Sequence, residues 1–231
     1  MKTRCGFVLI FLLMLLLSAC QGEPPAPTPT PTPSPSDYLE RAAGAMGAVE
    51  SVKFTLTRQG DPVVLDKDLG LKFVEAEGAY QAPDAVHARA KVDFGGNLLE
   101  LELLWLPEGN YMSNPLTGTF GEMPANITLN PLALFDASVG IPHILREGVQ
   151  EPEDLGLESL EESQTRHLSG VVEAAAFQAF TPVTSEASVP LDLWLDVTTD
   201  RIVRVQMTEQ SGDVNSIDFF DYNQPVTIPE P

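Results

Sequence analysis

The chain is poor in cysteine and in long apolar segments, and each shortage excludes a class of protein. Only two cysteines occur in 231 residues, and Cys5 lies in a segment that we expect to be removed, so Cys20 has no partner for an internal disulfide. The longest apolar run, Phe7–Leu17, has 11 residues, whereas a membrane-spanning helix needs about 20. The mature chain must therefore be stable through its own core, without disulfides.

Basic residues are also scarce. The chain has 13 Lys and Arg against 33 Asp and Glu, which gives a formal net charge of −20. Such a surface repels nucleic-acid phosphates and anionic headgroups, so neither nucleic-acid binding nor electrostatic attachment to a membrane is expected. Removal of Lys2 and Arg4 with a signal peptide makes the mature chain still more acidic.

The N-terminal residues have the layout of a secretory signal peptide followed by a lipid attachment site. Two basic residues precede the apolar run, and Leu17-Ser18-Ala19-Cys20 follows it and resembles the bacterial lipobox. We expect residues 1–19 to be removed and Cys20 to be acylated, which anchors the chain to the extracytoplasmic side of the cell membrane. The alternative is an ordinary cleaved signal with an incidental cysteine.

Residues 20–36 hold the expected lipidated cysteine and a linker rich in Pro and Thr, with seven prolines between Pro24 and Pro35. At about 3.1 Å per residue in polyproline II, the 16 residues after Cys20 could span about 50 Å. We interpret this segment as a passive tether. A glycosylated spacer through a cell-wall layer is the alternative, because composition does not separate the two.

Residues 37–231 are expected to form one α+β domain. Ser36 or Asp37 is predicted to cap a first helix with an apolar stripe, and Asn130-Pro131 and Pro142 are predicted to start short helices. Two strands are expected within Leu155–Thr181. Alternating apolar residues and short turns predict seven further antiparallel strands, which are Val52–Arg58, Lys72–Tyr80, Ala85–Phe94, Leu98–Leu106, Val189–Val197, Arg201–Glu209 and Val214–Tyr222.

Common catalytic and metal-binding motifs are absent from the sequence. No Gly-x-Ser-x-Gly, His-Glu-x-x-His or Gly-x-Gly-x-x-Gly segment occurs, and no catalytic, cofactor or metal site is predicted. The carboxylate pairs Glu100 with Glu102 and Asp192 with Asp196 have the even spacing that places both members on the outer face of a strand. A calcium turn at Asp196 and Asp200 is possible in principle, but Asx-type hydrogen bonds in a hairpin explain the two residues more simply. The three histidines, which are far apart in sequence, are His87, His143 and His167.

Two neighbouring predicted strands present small side chains towards their apolar side. Val74, Ala76 and Gly78 lie on one strand, and Ala88 and Ala90 lie on the next. Because protein interiors are filled to a packing density of about 0.75, either a helix approaches closely here or an apolar ligand occupies the space. The residues alone favour the helix.

Several segments resemble the LppX/LprG lipoprotein family in their order and spacing. They are Leu39-Glu40-Arg41-Ala42 to Val49-Glu50-Ser51-Val52, Ala76-Glu77-Gly78 with Gln81-Ala82-Pro83-Asp84, Leu193-Trp194-Leu195-Asp196 through Arg201-Ile202-Val203-Arg204-Val205, and Asp221-Tyr222 with Pro225-Val226-Thr227-Ile228. The resemblance implies a LolA/LolB-like fold, in which a curved antiparallel sheet forms a half-barrel and helices cover its concave face. Asn126–Thr181 departs most from the family pattern.

The resemblance also implies a function, namely binding of lipid or glycolipid acyl chains in an apolar cavity and their carriage or presentation in the cell envelope. The expected partners are therefore an acylated lipid and, through the anchor, the membrane; the protein is expected to be monomeric and not an enzyme. The alternative is an envelope scaffold or sensor with a closed core and no ligand. The residues predicted to line the cavity are Val74, Ala76, Val86, Ala88, Ala90, Leu101, Leu103, Leu193 and Leu195.

Overall fold

An antiparallel sheet of twelve strands forms most of the structure. The computed structural model describes residues 32–66, 70–125, 127, 130–161, 163–177 and 187–231; the signal peptide, Cys20, most of the linker and the end of Leu155–Thr181 lie outside these residues. The strands are β1 Ser51–Gln59, β2 Val64–Asp66, β3 Leu71–Gln81, β4 Ala85–Phe94, β5 Asn97–Leu106, β6 Gly109–Ser113, β7 Phe120–Glu122, β8 Gln150–Leu160, β9 Ser163–Glu173, β10 Ser188–Asp196, β11 Ile202–Thr208 and β12 Val214–Phe220.

The sheet is open, with β7 and β8 at its two edges. The strand order is β7-β6-β5-β4-β3-β1-β12-β11-β10-β9-β8, and β2 pairs with the start of β3. Pairing of β1 with β12 joins the N-terminal and C-terminal runs of hairpins into one sheet. All seven strands predicted from alternation are confirmed with ends within two residues. Two strands were expected within Leu155–Thr181; β9 lies in that range, whereas β8 begins five residues before it, at Gln150. The strands β2, β6 and β7 were not predicted.

Helical structure is limited to short segments. Helix α1 spans Pro35–Gly47, and helix α2, Ile141–His143, continues into a π-helical turn at Ile144–Gly148. The 3₁₀ turns are Pro131–Phe135 and Ala174–Phe177. The segments predicted to start at Asn130-Pro131 and Pro142 are thus a 3₁₀ turn and a single helical turn.

The predicted cap of the first helix was wrong by two residues. Ser34 is the N-cap, and Pro35 occupies the first helical position, where its missing N–H costs no hydrogen bond. The Asp37 carboxylate accepts hydrogen bonds from the Ser34 N–H at 2.7 Å and from the Ser34 hydroxyl at 2.8 Å. These two bonds lower the pKa of Asp37. The domain therefore begins slightly before the expected boundary at Asp37.

The two faces of the sheet differ in character, as β4 illustrates. Val86, Ala88, Ala90 and Val92 are buried and alternate with residues that are exposed or half-buried. Helix α1 buries Tyr38, Leu39, Ala42, Ala43 and Met46 in the same apolar cluster as residues of β1, β3, β4, β5 and β9–β12. We call this cluster the main core, and the side of the sheet that carries it the apolar face.

The opposite side, the polar face, carries cross-strand ion pairs. Lys91 on β4 contacts Glu75 on β3 at 2.6 Å, and Lys53 on β1 contacts Asp221 at 2.8 Å. These pairs are about half exposed, so each contributes about 0–1 kcal/mol to stability. Their main effect is to keep the polar face hydrated.

Candidate functional site

Strand register brings the small residues of β3 and β4 together on the apolar face. Ala76 stands opposite Ala90, and Gly78 stands opposite Ala88. The next strand outward continues these rows with larger residues, since Leu101 pairs with Ala90 and Leu103 pairs with Ala88. The predicted patch of small residues is therefore a continuous surface rather than a sequence coincidence.

Part of the space above this surface is filled by aromatic side chains. A Cβ atom at Gly78 would lie 2.6 Å from Cζ of Phe54, so the Phe54 ring occupies the volume that a side chain would need. Further along β3, the Tyr80 ring stacks on Phe135 of the 3₁₀ turn with centroids 3.9 Å apart. Burial, and secondarily the Asp84 carboxylate, raises the pKa of Tyr80. The Phe54 ring of β1 thus fills the space at Gly78, and Phe135 of the 3₁₀ turn contacts Tyr80 further along β3.

The other end of the surface is a second apolar cluster, separate from the main core. Only Ala90, Val92 and Leu101 are fully buried in it. Its remaining members are apolar side chains that stay half-buried, and all members of the cluster come from β2–β6, so no described helical residue belongs to it. We call this region the trough; its half-buried members are Leu65, Leu71, Ala76, Leu99, Leu103 and Met112.

The predicted lining residues divide between the two clusters. Ala76, Ala90, Leu101 and Leu103 belong to the trough, and Leu103 also packs against the main core. By contrast, four predicted residues contact other protein side chains in the main core and are at most 5% exposed, namely Val86, Ala88, Leu193 and Leu195. The trough therefore retains four of the nine.

Val74 is displaced from its expected position by a β-bulge. The register of β3 against β4 shifts between Phe73 and Glu75, so Phe73 stands opposite Val92. Phe73 is buried, whereas Val74 is half-buried and has no partner in the ladder. The prediction that Val74 and Ala76 share one regular alternation was wrong, because a bulge adds one residue to the strand.

A buried ionic network closes the end of the apolar stripe on β1. Val52, Phe54 and Leu56 alternate along this strand, and the next residue in that alternation is Arg58. Its guanidinium donates to Glu209 at 2.6 Å, to Asn215 at 3.0 Å and to Asp213 at 2.8 Å. The Arg58 and Glu209 side chains are 4% and 2% exposed. The network ties the loop after β1 to the turn between β11 and β12.

Sequence reasoning missed this network, although the alternation contained the signal. An arginine at an apolar-face position needs a buried partner, because an unpaired buried charge is very costly. The required acceptors lie 151 and 157 residues away in sequence. Only the pairing of β1 with β12 brings them together.

A cleft of about 270 Å³ lies beside the start of helix α1 and is lined in part by Leu195. The Tyr38 ring lies here between the guanidinium groups of Arg41 and Arg166, at 4.8 and 4.3 Å from its centroid. Arg41 also contacts Asp200 at 3.2 Å, and Arg166 contacts an aspartate at 2.6 Å. Both guanidinium groups are therefore paired with carboxylates. Their contacts with Tyr38 and Asp200 connect helix α1 to the sheet.

Two of the three histidines singled out in the sequence pair with carboxylates on the polar face, and His143 lies in helix α2. His87 contacts Glu102 at 2.8 Å, and His167 contacts Asp192 at 2.8 Å. Asp196 accepts hydrogen bonds from the N–H groups of the next two threonines in the hairpin turn, which confirms the Asx-type interpretation. Among the described residues, no three His, Cys, Asp or Glu side chains form a group that could hold a metal ion.

The fold and the trough define a class of protein, an open antiparallel sheet with one apolar face that is incompletely covered. Comparison with protein families matches residues 34–228 to the family described as LppX_LprAFG lipoprotein. The chain therefore belongs to the LppX_LprAFG lipoprotein family. Comparison with curated proteins finds no match.

Two solved structures share this fold. LprF from Mycobacterium bovis is 21% identical, with a TM-score of 0.69, and the match covers 88% of this chain and 99% of that one. Lipoprotein LppX from Mycobacterium tuberculosis is 15% identical, with a TM-score of 0.61 and coverage of 84% and 98%. Within the part of the chain that the structure describes, no helix has the length and apolar character needed to cross a bilayer.

Proposed function

We propose that this protein is a membrane-anchored carrier that binds the acyl chains of a lipid or glycolipid in the trough. Acylated Cys20 holds it on the extracytoplasmic side of the cell membrane, and helical segments cover the apolar face of a curved sheet. The protein carries or presents its ligand within the envelope. Binding is burial of apolar surface, worth about 25 cal/mol per Å², with no covalent step.

The observation that carries the proposal is the half-buried state of the trough. Six apolar side chains on the apolar face of β2–β6 are half-buried and surround the fully buried Ala90, Val92 and Leu101. A folded domain normally buries such a surface, because leaving it in water loses hydrophobic stabilisation. An acyl chain is long, narrow and uncharged, and lying along these strands it would complete their burial.

The chemistry of the surroundings agrees with an apolar ligand. The side chains that form the trough are those of Leu, Val, Ala and Met. Recognition therefore depends on shape and apolar area, and a polar headgroup remains outside the trough. The family to which the chain belongs is described as lipoprotein, which supports the membrane anchor.

A steric test separates trough occupancy from general destabilisation. We expect Ala76→Phe, which places a ring into the trough, to weaken binding of a fluorescent fatty-acyl probe about tenfold, a loss of about 1.4 kcal/mol. Ala79→Phe is the matched control, since Ala79 lies three residues further along β3 and its partner His87 is on the polar face. Both variants are compared with the wild type by thermal unfolding.

Native mass spectrometry of the protein purified from its host membrane tests the proposal directly. We expect an adduct with the mass of an acylated lipid. A ligand-free spectrum together with no uptake of acyl probes would refute it.

A closed scaffold or sensor is the second candidate, and one observation favours it. Several predicted lining residues are buried in the main core, with Val86 at 0% and Leu193 and Leu195 at 2% exposure. If the trough closes in the same way in solution, neither acyl probes nor Ala76→Phe will have an effect on binding. Equal behaviour of Ala76→Phe and Ala79→Phe in both assays would support this candidate.

A further inference from the structure

One end of the sheet exposes large apolar side chains around a hairpin turn. Phe94 ends β4 with 45% of its surface exposed, Leu98 begins β5 with 68% exposed, and Val64 on β2 is 43% exposed. We call these three residues the apolar rim. The register places Phe94 opposite Leu71 on the apolar face, whereas Leu98 stands opposite Asp93 on the polar face. The turn therefore has an apolar side chain on each side.

The tip of this hairpin is also free of charge. From Phe94 to Leu99 no residue is ionisable, although 20% of the whole chain is charged and its net charge is −20. Gly95 and Gly96 adopt positive φ angles of 61° and 88°, and the Gly96 N–H donates to the Asp93 carboxylate at 2.7 Å. The Asp93 carboxylate is thus held within the turn, and the tip from Phe94 to Leu99 adds no charge of its own that an anionic lipid surface would repel.

The apolar rim is continuous with the trough. Leu71 and Leu99, which flank the exposed residues on β3 and β5, are half-buried members of the trough. Leu99 pairs with Val92 of the trough, and Phe94 is two residues further along the same face of β4. The apolar row of β4 therefore runs without interruption from Phe94 at the rim to Ala90 in the trough, with Asn97 of β5 as the polar neighbour of Phe94.

The expected tether is long enough to bring the rim to the anchoring membrane. Pro33, where the described chain begins its folded part, lies by the turn between β10 and β11, which the register places at the opposite end of the strands. The 11-residue strand β3 is about 36 Å long at ~3.3 Å per residue. The 12 residues between Cys20 and Pro33 could span about 37 Å when fully extended as polyproline II, which is about the length of that strand.

We infer that the apolar rim is a membrane-docking surface, which inserts into the lipid layer that carries the anchor and places the mouth of the trough against it. This inference rests on the proposed lipid-binding function and names the route by which ligand enters. The occupant is a bilayer surface, because the hairpin tip is small and without charge, Lys72 and Asp93 lie opposite each other between Val64 and Leu98, and the rim is continuous with the apolar row of the trough. A protein partner is one outcome of the test below.

Site-specific fluorescence on the full lipidated chain tests the docking. Cys20 is the only cysteine of the mature chain and is expected to be acylated, so Leu98→Cys or Phe94→Cys can be labelled selectively with an environment-sensitive NBD group. In vesicles of phosphatidylcholine and phosphatidylglycerol, we expect the emission at both positions to rise severalfold, to shift to the blue and to be quenched by spin-labelled lipid. Leu155→Cys is the matched control, with 53% exposure on β8 at the far edge of the sheet.

The outcomes separate docking from its alternatives. Water-like emission at position 98, equal to that at 155, would overturn the inference. A blue shift that appears in detergent-free solution without vesicles would assign the rim to protein contact and would overturn it as well. A blue shift that needs vesicles and is confined to the rim supports it.

A functional arm distinguishes failure of docking from failure of the proposed function. We expect the double variant Phe94→Asp, Leu98→Asp to slow transfer of an acyl probe from vesicles about tenfold, while binding of the same probe from solution is unchanged. Leu155→Asp should change neither. If the wild type takes up no probe from solution while position 98 still inserts, the lipid-carrier proposal fails and the docking surface stands.

Discussion

Replacement of Arg58 tests whether the buried network holds the rim end of the sheet together. Arg58→Met removes a guanidinium whose donors contact Glu209 at 2.6 and 3.3 Å, Asn215 at 3.0 Å and Asp213 at 2.8 Å. The Glu209 side chain, 2% exposed, would lose the cation that compensates its burial. Breaking a buried ion pair in this way costs about 3–5 kcal/mol, out of a total unfolding free energy of about 5–15 kcal/mol for a domain.

The assay is urea unfolding of the mature chain, followed by fluorescence of its two tryptophans, Trp105 and Trp194. Arg58→Met should lower the free energy of unfolding by at least about 3 kcal/mol. The double variant Arg58→Met, Glu209→Met should recover a substantial part of this loss, because it removes both charges and leaves none unpaired. The two substitutions are therefore expected to be strongly non-additive.

Lys91→Met is the control, because it breaks a solvent-exposed ion pair with the same nitrogen-to-oxygen distance. Lys91 contacts Glu75 at 2.6 Å, as Arg58 contacts Glu209, but the two side chains are 51% and 45% exposed. This variant should lose less than about 1 kcal/mol. The reasoning is refuted if Arg58→Met costs no more than Lys91→Met, or if the double variant loses the sum of its two single losses.

Three further predictions follow from single residues. The hydroxyl of Ser216 is buried and, among the described residues, has no hydrogen-bond partner, so Ser216→Ala should raise the free energy of unfolding by up to about 1 kcal/mol in urea titrations. A hydrogen bond from the Asp61 N–H is the largest cause that lowers the pKa of Asp213 below 3.8. Its stabilisation is thus complete about one pH unit above the unfolded-state pKa and is lost as the pH falls through the lowered folded-state pKa. Asp213→Asn should remove this part of the acid dependence measured by unfolding. Finally, Gly78→Ala would bring a Cβ within 2.6 Å of Phe54, and calorimetry should show a loss of about 1–3 kcal/mol.

Most of the fold could be predicted from the sequence because its long strands have one buried and one solvent-exposed face, which makes apolar and polar residues alternate. On β4, five apolar residues alternate with polar ones without interruption, and the structure has that strand at the predicted ends. The strands β2, β6 and β7 have only three to five residues. A run this short carries too few alternations to distinguish a strand from a loop.

The candidate site could be predicted only in part, because alternation gives the face of a residue and not what covers that face. Ala88 and Ala90 are adjacent members of one stripe, yet Ala88 lies in the main core and Ala90 in the trough. The difference depends on where the aromatic residues Phe54 and Phe135 lie, and the latter comes from Asn126–Thr181, the segment that departs most from the family pattern. The displacement of Val74 was equally hidden, since a bulge adds a residue without changing composition.

The distribution of apolar surface argues for a carrier over a scaffold. Six apolar side chains of the trough are half-buried, and each additional 40 Å² or so of burial, which an acyl chain would provide, is worth about 1 kcal/mol. The acidic exterior points in the same direction. A chain with net charge −20 gains little from headgroup electrostatics, so its contacts with a bilayer must be apolar. The expected acyl anchor on Cys20 supplies one such contact, and the apolar rim, continuous with the trough, is placed to supply the other.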